Sequence, residues 1–161
     1  MASVRTGAWL AFLLPAALLG GALISQYGFG LYPCEMCMWQ RWPHLVAILL
    51  AAAALAFRRI SLVIPLVVAA AIAILISGLI GGFHAGVEYD WWEGLTSCST
   101  NLPAGGDMLD SIMNAPLVRC DVAPWTLFGI SLAGFNFLLS VSGAALILLM
   151  IATRRKGSDH G

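Results

Sequence analysis

Four stretches of this chain are long and apolar enough to call for lipid, and they constrain the fold more than any other feature. The first runs from Ala8 to about Gln26, the second from about Pro43 to Phe57, the third roughly from Leu62 to Phe83, and the fourth roughly from Leu127 to Ala152. A hydrocarbon core takes about 20 helical residues to cross. Within it each backbone N–H and C=O must be paired inside the segment, which leaves the helix as the solution for runs of this kind. The second run is short. It reaches span length if its helix starts near Met38, which puts Cys37 at the mouth. Pro43 cannot donate to the carbonyl of Trp39, so it sits either in the first turn or at a kink. In both cases Cys34 and Cys37 stand at a helix N-terminus. The expected fold is an all-α membrane protein, a four-helix transmembrane bundle forming a single integral membrane domain over 1–161. Its spans are expected at about 8–26, 38–57, 62–83 and 127–152, with outer loops at about 27–41 and 84–126.

Composition agrees: of 161 residues, 60% are hydrophobic and 10% charged, with a mean hydropathy of +0.90. Zero formal net charge argues against nucleic acid as a partner, since that would call for a basic face. Arg5, Arg58, Arg59, Arg154, Arg155 and Lys156 fall on one side of the expected bundle, Arg41 and Arg119 on the other. By the positive-inside rule both termini and the Arg58–Arg59 turn are cytoplasmic, and the loops with all four cysteines face the periplasm, or whatever compartment lies outside. Glu35, Glu88, Asp90, Glu93, Asp107, Asp110 and Asp121 fall on the outer side, although acids count little in that rule. A cleaved signal peptide is the competing reading of the first run, but its apolar stretch of about 19 residues exceeds the usual h-region.

The first outer loop is a short hairpin. The second, His84 to about Trp125, is rich in Gly, Pro, Asp and Ser. Trp91, Trp92 and Trp125 suit an interfacial aromatic belt, and Met108 to Met113 suits a short amphipathic helix on the membrane surface. Gly78 and Gly82, with Gly81, make a small-residue patch for helix contact; Gly134 and Gly143 extend the same idea to the last run.

The chemistry-bearing residues all fall in the outer loops or at their edges. Cys34 and Cys37 have the i, i+3 spacing of a redox dithiol, and the second pair is Cys98 and Cys120. No metal is expected, because zinc would need a second close pair or a histidine at ligand spacing. A structural disulfide between Cys34 and Cys37 would restrict the unfolded chain only slightly. A helix N-terminus favours the thiolate of Cys37, and the thiolate is the nucleophile. Arg41 lies one turn beyond Cys37 on the same face. As an interface anchor it needs no further role; beside a redox cysteine it can stabilise a thiolate and hydrogen-bond a quinone oxygen.

Pro33-Cys34-x-x-Cys37-x-x-Gln40-Arg41 resembles the signature of the disulfide bond formation protein B (DsbB) family. So do His84-Ala85-Gly86-Val87-Glu88, Trp92 before Cys98, and Cys120-Asp121 leading into Phe128-Gly129-Ile130-Ser131-Leu132-Ala133. That resemblance implies a thiol:quinone oxidoreductase. It implies that Cys98 and Cys120 receive electrons from a soluble periplasmic thioredoxin-like dithiol oxidase (DsbA-like), with Cys98 forming the mixed disulfide. Cys34 and Cys37 would deliver them to ubiquinone or menaquinone from the membrane pool, with Cys37 next to the ring and Arg41 and His84 in the quinone site. For His84 the residues alone also allow an interfacial histidine satisfied by water or backbone. Gln40 fits the motif without an assigned role. Besides a metal-binding membrane protein, the weakest alternative, two rival readings remain. One is a vitamin K epoxide reductase-like bundle running in the reducing direction; the other is a membrane scaffold or chaperone whose cysteines form structural disulfides.

Overall fold

The computed structural model describes residues 2–57, 59–95, 99–100 and 117–158. Cys98, the Met108–Met113 segment and the Gly105-Gly106 stretch, whose glycines are expected from the sequence to give the second loop flexibility, lie outside the described residues. Four long helices carry the fold: α1 (Ala2–Phe29), α2 (Glu35–Ala56), α3 (Ile60–Glu88) and α4 (Leu132–Ser158). Three contain segments long and apolar enough to cross a membrane, Ser3–Phe29, Ser61–Glu88 and Leu132–Thr153. The fourth, α2, has 22 residues, about 33 Å of helix, and carries Gln40, Arg41 and His44 in its first half. Pro15, Pro43 and Pro65 all sit inside helices. Helices in lipid tolerate this because neighbouring helices and side chains take up the freed carbonyls.

The packing is inverted relative to a protein in water. One end of the bundle is filled by Ala8, Ala11, Ala47, Ala51, Ala54, Ala70, Ala71 and Ala144, together with Val67, Ile74 and Ile147. Larger residues such as Ile24, Leu49, Ile76, Leu79 and Leu149 stay exposed on the outside. Lipid supplies no hydrophobic drive between helices, so close approach of small residues does the joining. α3 meets α4 most closely along its glycines. A Cβ at Gly78 would lie 2.9 Å from that of Ser140, and one at Gly82 would lie 2.7 Å from the Phe137 ring.

Short antiparallel pairs organise the outer end. β1 (Ser99–Thr100) pairs with β2 (Leu117–Val118), and β3 (Thr126–Leu127) with β4 (Ile130–Ser131). The second pair closes on Phe128 and Gly129, both with positive φ (52° and 77°), the requirement of a type I′ hairpin. The Tyr89 hydroxyl donates to Gly129 O (2.8 Å) and accepts from Ser131 N (2.9 Å). The end of α3 is thereby tied to the turn that starts α4. The apolar residues Leu127 to Ile130, part of the fourth run, form this hairpin, and the helix itself begins at Leu132.

Candidate functional site

Cys34 is the N-cap of α2, with extended φ/ψ, and its sulfur accepts the Cys37 backbone N–H at 3.2 Å. A cap normally uses an oxygen of Ser, Thr, Asp or Asn; here the capping atom is itself a redox sulfur. Its side chain donates to Cys37 Sγ at 2.8 Å. That hydrogen bond to Cys37, followed by burial, pushes the Cys34 thiol well above the usual cysteine range. In that contact Cys37 Sγ is the acceptor.

Cys120 arrives from the second loop. Cys34 Sγ, Cys120 Sγ and a ring nitrogen of His84 all lie within 4.8 Å of one another, and all three residues are buried. Met36 and Val87, both almost fully buried, pack around them. Chain spacing gave no reason to expect three atoms of metal-ligating type in one place; the fold assembles them from three segments. Arg119 and Asp121, flanking Cys120, form a bidentate ion pair on the exposed side, which holds the Asp121 carboxyl below its ordinary range.

Below this cluster, α2, α3 and α4 exchange hydrogen bonds whose directions are fixed by two backbone carbonyls. Gln40 Nε2 donates to Met36 O (3.2 Å), so the 2.9 Å contact of that nitrogen with His84 Nδ1 makes Nδ1 the acceptor. The His84 proton is then on Nε2, 3.5 Å from Cys34 Sγ and 3.8 Å from the Glu88 carboxylate. Asn136 Nδ2 donates to Ser77 O (3.2 Å) and to Gln40 Oε1 (2.8 Å). Its Oδ1 must therefore accept, and takes Ser140 Oγ–H (2.8 Å) and His44 Nε2–H (2.9 Å). Ser77 Oγ closes the network on Gln40 O.

A cavity of about 250 Å³ opens beside this network. Cys37, Arg41, His44, His84, Glu88 and Asn136 provide its polar atoms, while Leu18 and Leu19 of α1 and Leu132 and Phe135 of α4 provide apolar wall. Arg41 is steadied by Gln26 Oε1 (2.5 Å) and Ala22 O. A second cavity of about 340 Å³, reaching Arg119 and Val122, shares Cys37, His84 and Glu88 with the first. With Leu31, Tyr32 and Pro124, which also line both cavities, those side chains stand between an outer space and an inner one.

The chain matches the family described as "Disulfide bond formation protein DsbB" over residues 4–150. It belongs to the DsbB family. Disulfide bond formation protein B of Polaromonas sp. is 32% identical over 160 residues, covering 90% of this chain and 88% of that one. The Methylococcus capsulatus protein of the same name is 30% identical over 155 residues, covering 91% and 93%. An uncharacterized protein of Rickettsia prowazekii is 27% identical over 128 residues, covering 76% and 73%. No solved structure matches. Family membership makes the chain a membrane disulfide-forming oxidoreductase.

Of the residues singled out in the sequence, Cys34, His84 and Cys120 come together in this DsbB-family chain, Cys37 and His84 line both cavities, and Arg41 lines the inner one. Cys98 lies outside the described residues, next in sequence to Ser99, which pairs with Val118. Sequence reasoning passed over His44, Ser77, Asn136 and Ser140, and gave Glu88 and Gln40 no role of their own. The signal was present: polar side chains in apolar runs, at helical spacing in Gln40/His44 and Asn136/Ser140.

Proposed function

We propose that this DsbB-family protein is a thiol:quinone oxidoreductase of the bacterial inner membrane. It crosses four times with both termini in the cytoplasm, reoxidises a soluble periplasmic DsbA-like dithiol oxidase, and passes the electrons to ubiquinone or menaquinone. The observation carrying this reading is that Cys120, from one loop, reaches Cys34 of a CxxC whose other cysteine, Cys37, lines a cavity together with Arg41 and His84. Thiol–disulfide exchange needs that approach, and holding it in place makes the step effectively unimolecular.

The residues divide the work as follows. A partner thiolate attacks Cys98 of the Cys98–Cys120 disulfide, forming the mixed disulfide and releasing Cys120 as thiolate. Cys120 attacks Cys34 of the Cys34–Cys37 disulfide, and the Cys37 thiolate leaves toward the inner cavity. His84 Nε2–H faces the Cys34 sulfur and stabilises charge there as the bond changes hands. The partner's second thiolate resolves the mixed disulfide. The Cys98 thiolate released in that step attacks Cys120 of the Cys34–Cys120 disulfide, re-forming Cys98–Cys120 and freeing Cys34. Partner dithiol thus becomes disulfide, and its two electrons rest on the Cys34–Cys37 dithiol, which would re-form its disulfide when a bound quinone takes up two electrons and two protons.

The inner cavity fits a quinone head by its own features: apolar walls, the Arg41 guanidinium, and two buried polar atoms, His44 Nδ1 and Glu88 Oε2, that lack a hydrogen-bond partner. Quinone supplies lipid-soluble two-electron acceptance; Cys37, Arg41 and His84 hold and orient it. The test is anaerobic turnover of the purified protein with a reduced thioredoxin-like partner and each quinone, read as quinone absorbance. Partner-dependent quinone reduction is expected. Partner oxidation without quinone loss, or neither, would overturn the reading.

A further inference from the structure

The inner cavity contains a histidine that the thiol chemistry does not use. His44 lies two helical turns beyond Cys37 on α2, about 10 Å along the axis, and is 3% exposed. Its Nε2–H is committed to Asn136 Oδ1, whose polarity is set by the Asn136 amide donating to Ser77 O. The remaining ring nitrogen, Nδ1, is therefore a lone pair. It is buried and has no partner, although the residue lines the cavity. Among the described residues no carboxylate pairs with His44, so the ring has no counter-charge that would favour a second proton.

An unpaired buried acceptor is a standing cost until something donates to it. The two redox forms of a quinone differ in just this respect. The oxidised ring offers carbonyl oxygens, which are acceptors and leave a lone pair unanswered; the reduced ring offers hydroxyls, which donate. Glu88 Oε2, the other buried unpartnered atom lining the same cavity, adds a second acceptor near the outer mouth. The cavity thus has two orphan acceptors, matched by a ring with two hydroxyls.

We propose that His44 is a specificity residue for the hydroquinone form: its Nδ1 accepts a hydrogen bond from a ring hydroxyl deep in the cavity, with Asn136 fixing the tautomer. This rests on the quinone reading above and goes beyond it, because it assigns a preference between redox forms to a residue remote from the sulfurs. Favouring the hydroquinone makes the bound ring a stronger oxidant for Cys37.

The test uses the full-length protein in lipid nanodiscs with a short-tailed benzoquinone and its hydroquinone, each titrated calorimetrically under argon. The wild type should bind hydroquinone more tightly than quinone. His44→Leu should weaken hydroquinone binding about tenfold, as expected for one hydrogen bond, and change quinone binding by less than about twofold. Tenfold in that ratio corresponds to a bound-ring potential lower by about 30 mV for two electrons. The second measurement needs no variant: in wild-type protein with ¹⁵N-labelled histidine, Nδ1 of His44 should shift on adding hydroquinone and stay put with quinone. Equal weakening of both forms in His44→Leu, or a hydroquinone complex without the Nδ1 shift, overturns the proposal alone. Failure of the wild type to bind either form overturns the quinone reading and this inference with it.

Discussion

The two ends of this bundle are joined by different chemistry. Around Ala47, Ala51, Ala70, Ala71 and Ala144 the helices touch through methyl groups. Around Gln40, Ser77, His84, Asn136 and Ser140 the same helices touch through a hydrogen-bond network in which each member has few alternatives. Methyl contacts are non-directional and can shift by a few tenths of an ångström at little cost. The amide network fixes which nitrogen of each histidine carries a proton, and hence what the cavity presents to a ligand. The alanine end determines that the helices are together; the polar end determines how they are aligned.

The largest contrast should come from the sulfurs. Cys34→Ser and Cys37→Ser should each lower partner-dependent quinone reduction by about a thousandfold or more, as loss of an essential nucleophile does, with expression and helix content unchanged. Residual activity within tenfold of wild type would remove these cysteines from the reaction. Next comes Asn136→Leu, which strands Gln40 Oε1, His44 Nε2–H and Ser140 Oγ–H together. Individual interhelical hydrogen bonds in lipid average about 0.6 kcal/mol, so losing several should cost roughly 2 kcal/mol and reduce turnover as well. Ala51→Gly at the other end should cost about 1 kcal/mol of helix propensity and leave turnover alone. Unfolding midpoints and turnover rates measured on both variants check this pairing. If Ala51→Gly slows turnover as much as Asn136→Leu does, the division between the ends is wrong.

Gly81 sits where the two kinds of packing meet, and there one methyl group should act on both. A Cβ at Gly81 would lie 2.9 Å from Asn136 Nδ2, 3.0 Å from Ala133 O and 3.1 Å from Gln40 Oε1. Those neighbours are backbone or short, committed amides, so they cannot yield cheaply. Gly81→Ala should destabilise by about 1–2 kcal/mol and loosen the His84 contact, seen as faster hydrogen exchange of the Gln40 side-chain amide. Gly20→Ala, inside α1 with nothing within 4 Å of the added group, is the control: it should gain up to about 1 kcal/mol of helix propensity and leave the Gln40 exchange unchanged.

Much of this arrangement could be read from the chain before its fold was known, because hydropathy and the CxxC are local signals. Cys34, Cys37 and Arg41 fall within one short stretch, and a helix start next to Pro33 is enough to place them. Cys120 reaching Cys34 depends instead on a loop whose path local pattern does not encode. The Phe128-Gly129 turn was hidden in a different way. Its flanks are apolar, so Leu127 to Ser131 read as the start of a span, although glycine at the second turn position was a hairpin signal. The polar network was missed because each member alone looks like a tolerated polar residue in an apolar helix. Only tertiary contact shows that Gln40, Ser77 and Asn136 answer one another.

The smallest effect is expected where the same kind of polar contact sits in water. Arg119 and Asp121 form a bidentate pair, but their side chains are 53% and 44% exposed, so solvent and salt compete for both charges. The hydrogen bond from Arg119 depresses the folded-state pKa of Asp121. A depressed carboxyl contributes stability above its unfolded value, about 3.9, and loses it as pH falls through the folded value. Arg119→Gln should therefore be slightly less stable than wild type at neutral pH, with the difference closing below about pH 4. In 1 M salt the neutral-pH difference should shrink further. Amide exchange across residues 117–121 in both proteins, at pH 7 with and without salt, measures it directly, and thermal midpoints taken down to pH 3 follow the acid limb. A neutral-pH difference as large as that of Asn136→Leu would mean that alignment of the cysteine cluster depends on the exposed loop as much as on the buried amides.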